Sequence, residues 1–479
     1  MKKSTRKTLA LVGGLLAITC AAMAYSGKDG HFRAGPGLTP PETPLNRDGN
    51  VSLSARLVQD KVPMGGDGSV SLALTLGNDQ APDHDDEGRR QVDMVVVLDR
   101  SGSMAEAGKI ANARQAVQGL LSRLSEADRF ALVSYSDRVQ KHCGLLPMTP
   151  ANRTMLEGIV QSIQPEGSTN LGAGLQEGIR QFMESKRSGR ISRLILISDG
   201  LANRGITDPS TLGTMASGAA ERGFTVSTVG VGLDFNEHLM TAIADKGAGN
   251  YTFMESAEAF TQVLDKELRN SRTVVASSVE VHVPLTPGMA LTHAAGYPIE
   301  LKDGWAVFKP GDILSGQSRK LFVTLRIPAG EEKTFDIGAI GMRYRFDGQL
   351  YTTSTAEPLR VACVRSAGDA MASIDKTQWE EKVIQEDYNR LREDVAAAVK
   401  GGKREEAMKR IDEYTASQQA ANEVIGSAAV SGNLGKDVES LRQTVADSFA
   451  GAPAEAAEKQ KANAKSLQYE GYQGRRSKN

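Results

Sequence analysis

The spacing of apolar residues changes character several times along this chain. In Val51 to Leu76, VSLSARLVQ and SVSLALTL place apolar residues at every second position. That alternation predicts a pair of half-buried strands, with the turn at Pro63 to Gly68. From 88 to 270, short apolar runs alternate with helical patterns. Strands are predicted at 92–98, 129–135, 193–198, 224–231 and 250–254, with an antiparallel edge strand at 138–144. Helices are predicted at about 105–124, 151–163, 171–185, 210–222, 236–246 and 256–269. Strands alternating with helices imply an α/β unit with a doubly wound, mostly parallel sheet. Val95-Val96-Val97-Leu98 lacks polar alternation, as expected of a strand covered on both faces.

From 271 to 366 short strand-like pieces recur between Pro/Gly turns and the Asp347-Gly348 hairpin signal. They predict an antiparallel β-sandwich. The strands in 51–87 cannot stand as an isolated pair. They are therefore expected to complete this sandwich, with the α/β unit inserted between. From 367 to 450 the period is helical again: Trp379, Val383, Tyr388, Leu391, Val395 and Val399, then Ala407, Met408, Ile411 and Tyr414, then 438–449. This is the pattern of a helical hairpin or small bundle. Residues 451–479, rich in Ala, Lys and Gln, are expected to form a flexible tail, a frayed helix with a disordered end.

A chain of 479 residues implies two to four domains, and 40% hydrophobic with 24% charged residues is ordinary globular composition. A net charge of −1 gives no reason to expect nucleic acid or an anionic membrane as partner. Residues 1–24 read as a signal peptide: Lys2, Lys3, Arg6 and Lys7, then an apolar run ending Ala22-Met23-Ala24. The expectation is an exported protein, periplasmic, at the cell surface or secreted. The alternative is a membrane anchor at residues 8–24 that is not cleaved. Residues 25–50 are a Gly/Pro-rich linker. Asp83 to Glu87 forms an acid cluster without EF-hand spacing and reads as a solvated loop. Cys143 and Cys363 fall in different predicted domains, either paired or as two buried thiols.

The candidate chemistry sits where the 92–98 strand ends. Asp99, Ser101 and Ser103 follow it at i, i+2 and i+4. The carboxyl edge of such a sheet is where open α/β folds bind ligands. Hard oxygen side chains at this spacing suit a hard cation such as Mg²⁺, with Mn²⁺ or Ca²⁺ as alternatives.

Asp99-x-Ser101-x-Ser103 resembles the metal-ion-dependent adhesion site (MIDAS) of von Willebrand factor type A (VWA) domains. Two further loops match that family in order: Gly167-Ser168-Thr169-Asn170, and Ser198-Asp199-Gly200 at the end of a second apolar strand. The resemblance implies five metal-site residues: Asp99, Ser101, Ser103, Thr169 and Asp199. It also implies an open coordination position for a partner protein's Asp or Glu. The order of β-rich modules around the α/β unit is similar to that in secreted bacterial VWA proteins and inter-alpha-trypsin inhibitor heavy chains.

Binding is thus expected rather than catalysis. There is no G-x-S-x-G, H-E-x-x-H or G-x-x-x-x-G-K-[ST] motif. Ser373-Ile374-Asp375-Lys376 matches S-x-x-K but reads as a helix cap, and the six histidines show no metal spacing. The alternatives are a scaffold whose metal is purely structural and a metal-dependent hydrolase, which would need a general base beyond the two motif acids.

Overall fold

The computed structural model describes residues 49, 51–78, 90–185, 189–199, 201–254 and 257–476. The expected signal peptide, nearly all of the linker, the acid cluster at 83–87 and the last three residues lie outside these. Three strands come first: β1 (Ser52–Leu57), β2 (Lys61–Pro63) and β3 (Ser69–Gly77). The α/β unit runs β4 (Val92–Asp99), α1 (Lys109–Arg123), β5 (Arg129–Tyr135), β6 (Val139–Pro147), α2 (Pro150–Ser162), α3 (Leu171–Ser185), β7 (Ile191–Ser198), α4 (Pro209–Glu221), β8 (Phe224–Val231), α5 (Glu237–Lys246), β9 (Ala248–Met254) and α6 (Ala257–Arg272). Its strands lie in the order β6-β5-β4-β7-β8-β9, and only β6 is antiparallel.

The β4 sequence explains its central position. Every residue from Val92 to Asp99 is buried. Val92, Met94, Val96 and Leu98 face a core shared with α1, α2 and α6. Val95 and Val97 face the opposite core, shared with α3, α4 and α5. A strand covered by helices on both faces has no polar position to alternate.

The segment expected to be helical from 105 begins differently. Gly102–Gly108 is a kinked 3₁₀ stretch, and Ala107 and Gly108 carry φ of 48° and 70°. The α-helix starts only at Lys109. The kink lets the chain turn over the end of β4 before the helix packs.

The second β region comprises β10 (Val274–Pro284), β11 (Ala290–Ala294), β12 (Glu300–Lys302), β13 (Trp305–Phe308), β14 (Ile313–Leu314), β15 (Ser318–Arg326), β16 (Lys333–Gly338), β17 (Gly341–Phe346), β18 (Gln349–Ser354) and β19 (Leu359–Val364). One sheet has the order β1-β3-β15-β11, so strands from both sides of the α/β unit share it. A second runs β12-β13-β10-β17-β18, with β14 also on β10; β16-β19-β2 form a third. They enclose one apolar core. The α/β unit enters and leaves beside one sheet: Arg90 stacks on Phe346 and pairs with Asp347, and α6 runs into β10. Cys143 on β6 and Cys363 on β19 are free, buried thiols.

Helices α7 (Ala367–Ala372), α8 (Lys376–Lys382), α9 (Tyr388–Lys400), α10 (Arg404–Ile425), α11 (Ala428–Gly432), α12 (Val438–Ser448) and α13 (Pro453–Arg475) follow. Single π-helical turns join α8 to α9 and α11 to α12. Asp375, not Ser373, caps α8, accepting from the Gln378 amide at 3.1 Å. These helices pack on the outer face of the first sheet through Ala73 and Phe322. That cover is why β3 is buried on both faces, where the alternation implied one.

The flexible tail expected after Gly451 is not what forms. α13 is a 23-residue helix, and Tyr472 near its end is 1% exposed. Gly471 and Gly474 allow the close approach to α9: a Cβ on either would meet Asn389 atoms at 2.6 and 2.4 Å. Among the described residues, no helix is long and apolar enough to cross a membrane.

Candidate metal site at the carboxyl edge of the α/β sheet

Three loops meet where β4 and β7 end. The parallel register of these central strands pairs Leu98 with Ile197, so Asp99, one residue past the pair, stands level with Ser198, and Asp199 follows one residue further on. Asp99, Ser101, Thr169 and Asp199 are buried and Ser103 is half-buried. The third loop is drawn in by its backbone, since the Gly102 amide donates to the Gly167 carbonyl at 2.9 Å. Asn170 then donates to the Ser136 carbonyl at 3.0 Å.

The side chains form a connected set. Asp99 Oδ1 accepts from the Ser101 amide at 2.8 Å. Asp99 Oδ2 accepts from Ser198 Oγ at 2.7 Å and from Tyr135 at 3.3 Å. Ser101 Oγ lies 3.1 Å from Ser103 Oγ, and Ser103 donates to Asp199 Oδ1 at 2.9 Å. The other oxygen of Asp199 accepts from Lys109 Nζ at 2.7 Å. Asp99, Ser101, Ser103 and Asp199 are thus joined by hydrogen bonds at the ends of β4 and β7, while Thr169 comes to the same edge on the loop between α2 and α3, held by the backbone bond from Gly102 to Gly167.

Burial pushes the Asp99 carboxyl up to about 6; hydrogen bonds from Ser101 and Ser198 oppose the rise, and the nearby Asp199 adds to it. The buried Tyr135 phenol is also pushed well up, by burial first and then by the Asp99 charge. Burial, more than neighbouring charge, is thus the main cause of both shifts.

Several positioning residues escaped the sequence reading. Asn203 Oδ1 accepts the Thr169 amide at 2.9 Å, and the Asn203 amide returns a bond to the Thr169 carbonyl at 3.2 Å. Asp137 holds the same loop through Ser168, whose hydrogen bonds keep its carboxyl below the ordinary range. Arg100, given no role from sequence, pairs with Glu166. Tyr135 and Ser198 end β5 and β7, the strands on either side of β4; Ser198 stood in the Ser198-Asp199-Gly200 match with no role of its own. Lys109 carried no signal either: the sequence sets it inside a helix from about 105, and only the structure makes it the first residue of α1, where the dipole disfavours a cation.

The fold and this edge define a class. Residues 93–266 match the family model of the von Willebrand factor type A domain, and the α/β unit is a domain of that kind. The Escherichia coli protein YfbK is 32% identical over 195 residues, which cover 40% of this chain and 34% of YfbK. The inter-alpha-trypsin inhibitor heavy chain H1 of Mesocricetus auratus is 28% identical over 205 residues, 42% of this chain and 22% of its own. The chain thus spans about a third or less of both relatives. The solved structure of a von Willebrand factor type A protein from Catenulispora acidiphila superimposes with a TM-score of 0.66 at 15% identity. It covers 89% of this chain and 97% of its own, so the likeness of fold extends well beyond the α/β unit.

Proposed function

We propose that this protein binds another protein through a divalent cation held by Asp99, Ser101, Ser103, Thr169 and Asp199, in the manner of an adhesion or scaffold protein exported from the cell. The observation that carries the reading is the oxygen spacing. Ser101 Oγ, Ser103 Oγ and Asp199 Oδ1 follow one another at 3.1 and 2.9 Å. Adjacent oxygens around an octahedral Mg²⁺ stand about 2.9 Å apart, given metal–oxygen distances of about 2.05 Å. The donor set is hydroxyl and carboxylate, which suits Mg²⁺, Mn²⁺ or Ca²⁺. When bound, the cation supplies Lewis acidity toward an incoming carboxylate. Asp99 and Asp199 compensate its charge, and the hydroxyls, being neutral, leave it electron-poor toward a partner's Asp or Glu.

Thermal unfolding in EDTA, Mg²⁺, Mn²⁺ and Ca²⁺ tests this, beside Asp99→Ala. Metal at a hundred times its dissociation constant adds about 2.7 kcal/mol to the folded state. The expected result is an upshift of the wild type that the variant lacks, followed by partner capture in Mg²⁺ but not in EDTA. One observation favours a second reading, a scaffold with an inactive site: Lys109 already gives Asp199 a counter-ion. Absence of any upshift would put that reading first.

A further inference from the structure

Lys109 is the first residue of α1, and its side chain is only 8% exposed. Both facts need a cause. An ammonium at a helix N-terminus meets the positive end of the dipole. Burial strips it of water, which costs free energy unless an acid stands opposite. The acid is Asp199, with Lys109 Nζ at 2.7 Å from Oδ2, and the Ser103 carbonyl lies 3.4 Å away. The left-handed Gly108 ahead of the helix and the kink before it carry the chain to this point. Gly232, with φ of 75°, leaves room for the lysine stem: a Cβ there would stand 3.1 Å from Lys109 Cε.

We propose that Lys109 is a resident cation that competes with the divalent metal for Asp199 and so sets the affinity of the site. The inference rests on the metal-dependent reading above. Both oxygens of Asp199 are engaged, one by Ser103 and one by Lys109. A dication drawing on Asp199, directly or through water, meets a fixed positive charge beside it and must displace it. The lysine has a second acid to receive it: Asp234 Oδ2 lies 4.0 Å from its Nζ, on the loop between β8 and α5. Asp234 is half exposed and is also paired with Lys461 of α13. Metal loading would thus shift Lys109 from Asp199 toward Asp234.

Isothermal titration of Mg²⁺ and Mn²⁺ into the metal-free full-length protein tests this. Lys109→Met keeps the length of the stem and removes the charge, and should lower the dissociation constant roughly tenfold through loss of a repulsive charge. Asp234→Asn removes the receiving acid and should raise it. A structural role alone would weaken binding in both. Lys109→Gln, which retains a donor, serves if the Met variant does not fold. A second arm needs no metal: in EDTA, Lys109→Met should lower the unfolding temperature, and Lys109→Met with Asp199→Asn should recover much of that loss. Unchanged or weaker metal binding by Lys109→Met and Lys109→Gln, while the wild type binds, would overturn this inference alone. Failure of every variant and of the wild type to bind either cation would overturn the metal reading and this inference with it.

Discussion

Tyr472 donates its phenolic hydroxyl to Asp245 Oδ1 at 2.9 Å, joining the end of the last helix to a buried carboxylate of α5. Arg476 takes the other oxygen at 2.8 Å and also donates to the Gly296 carbonyl of the sandwich region. Arg319 on β15 closes the junction by donating to the Arg476 carbonyl at 3.1 Å. The C-terminus thus ties the α/β unit to the sandwich. Arg476→Ala should destabilise by about 3–5 kcal/mol, because it strands a buried acid. Tyr472→Phe should cost about 1.5–3 kcal/mol, one hydrogen bond to a charged group. Urea unfolding measures both, and equal costs would mean that Arg476 is not the main partner of Asp245.

Asp99 makes the metal-free protein sensitive to pH. Its folded value of about 6 lies above the ordinary carboxylate range. The native state therefore binds the proton more tightly than the unfolded chain, and stability from this group is gained as pH falls through 6 toward 4. At pH 7 the penalty is fully present, about 3 kcal/mol. In EDTA, Asp99→Asn should gain on the wild type at pH 7, and the difference should shrink by pH 4. A difference that does not change with pH would show that Asp99 titrates normally.

Asn203 offers a separation of stability from binding. It is exposed, and its side chain holds the Thr169 amide at 2.9 Å. Asn203→Ala should cost only about 1 kcal/mol in unfolding free energy. The loosened Thr169 loop should raise the Mg²⁺ dissociation constant severalfold in titration calorimetry. Unaltered affinity would remove Thr169 from the set of ligands.

Gly174 on α3 sits against the ring of Tyr135. A Cβ there would come 2.6 Å from Tyr135 Cδ1. Gly174→Ala should destabilise by about 1–3 kcal/mol through overpacking. It should also disturb the bond from Tyr135 to Asp99 and weaken metal binding, whereas Gly158→Ala, with open space around it, should do neither.

The α/β unit was legible because its strands and helices bury different periods of the same apolar alphabet. Val95 to Leu98 needed no context to read as a doubly covered strand, and the end of that run located Asp99, Ser101 and Ser103. Thr169 and Asp199 were legible only through the resemblance of Gly167-Ser168-Thr169-Asn170 and Ser198-Asp199-Gly200 to the VWA family's loops. The first turn after Ser103 was misread as α-helix, since Ala-rich sequence favours helix and the left-handed turn falls on Ala107 as well as Gly108, where an alanine gives no sign of it.

What the tertiary structure alone decided is long-range. Lys109 reaches Asp199 across 90 residues, and Arg476 reaches Asp245 across 231. No local period encodes such pairs, because an ammonium or guanidinium looks alike in sequence whether solvated or buried. α13 shows the same limit. Its apolar residues are few and its surface is rich in Lys and Gln, so it resembles a tail. It is ordered by glycines that admit α9 and by two acids far off in sequence, Glu393 on α9 and Asp245 on α5 of the α/β unit. Local sequence determined most of the elements and the candidate metal-site motif; only the packed chain determined which charge stands beside it.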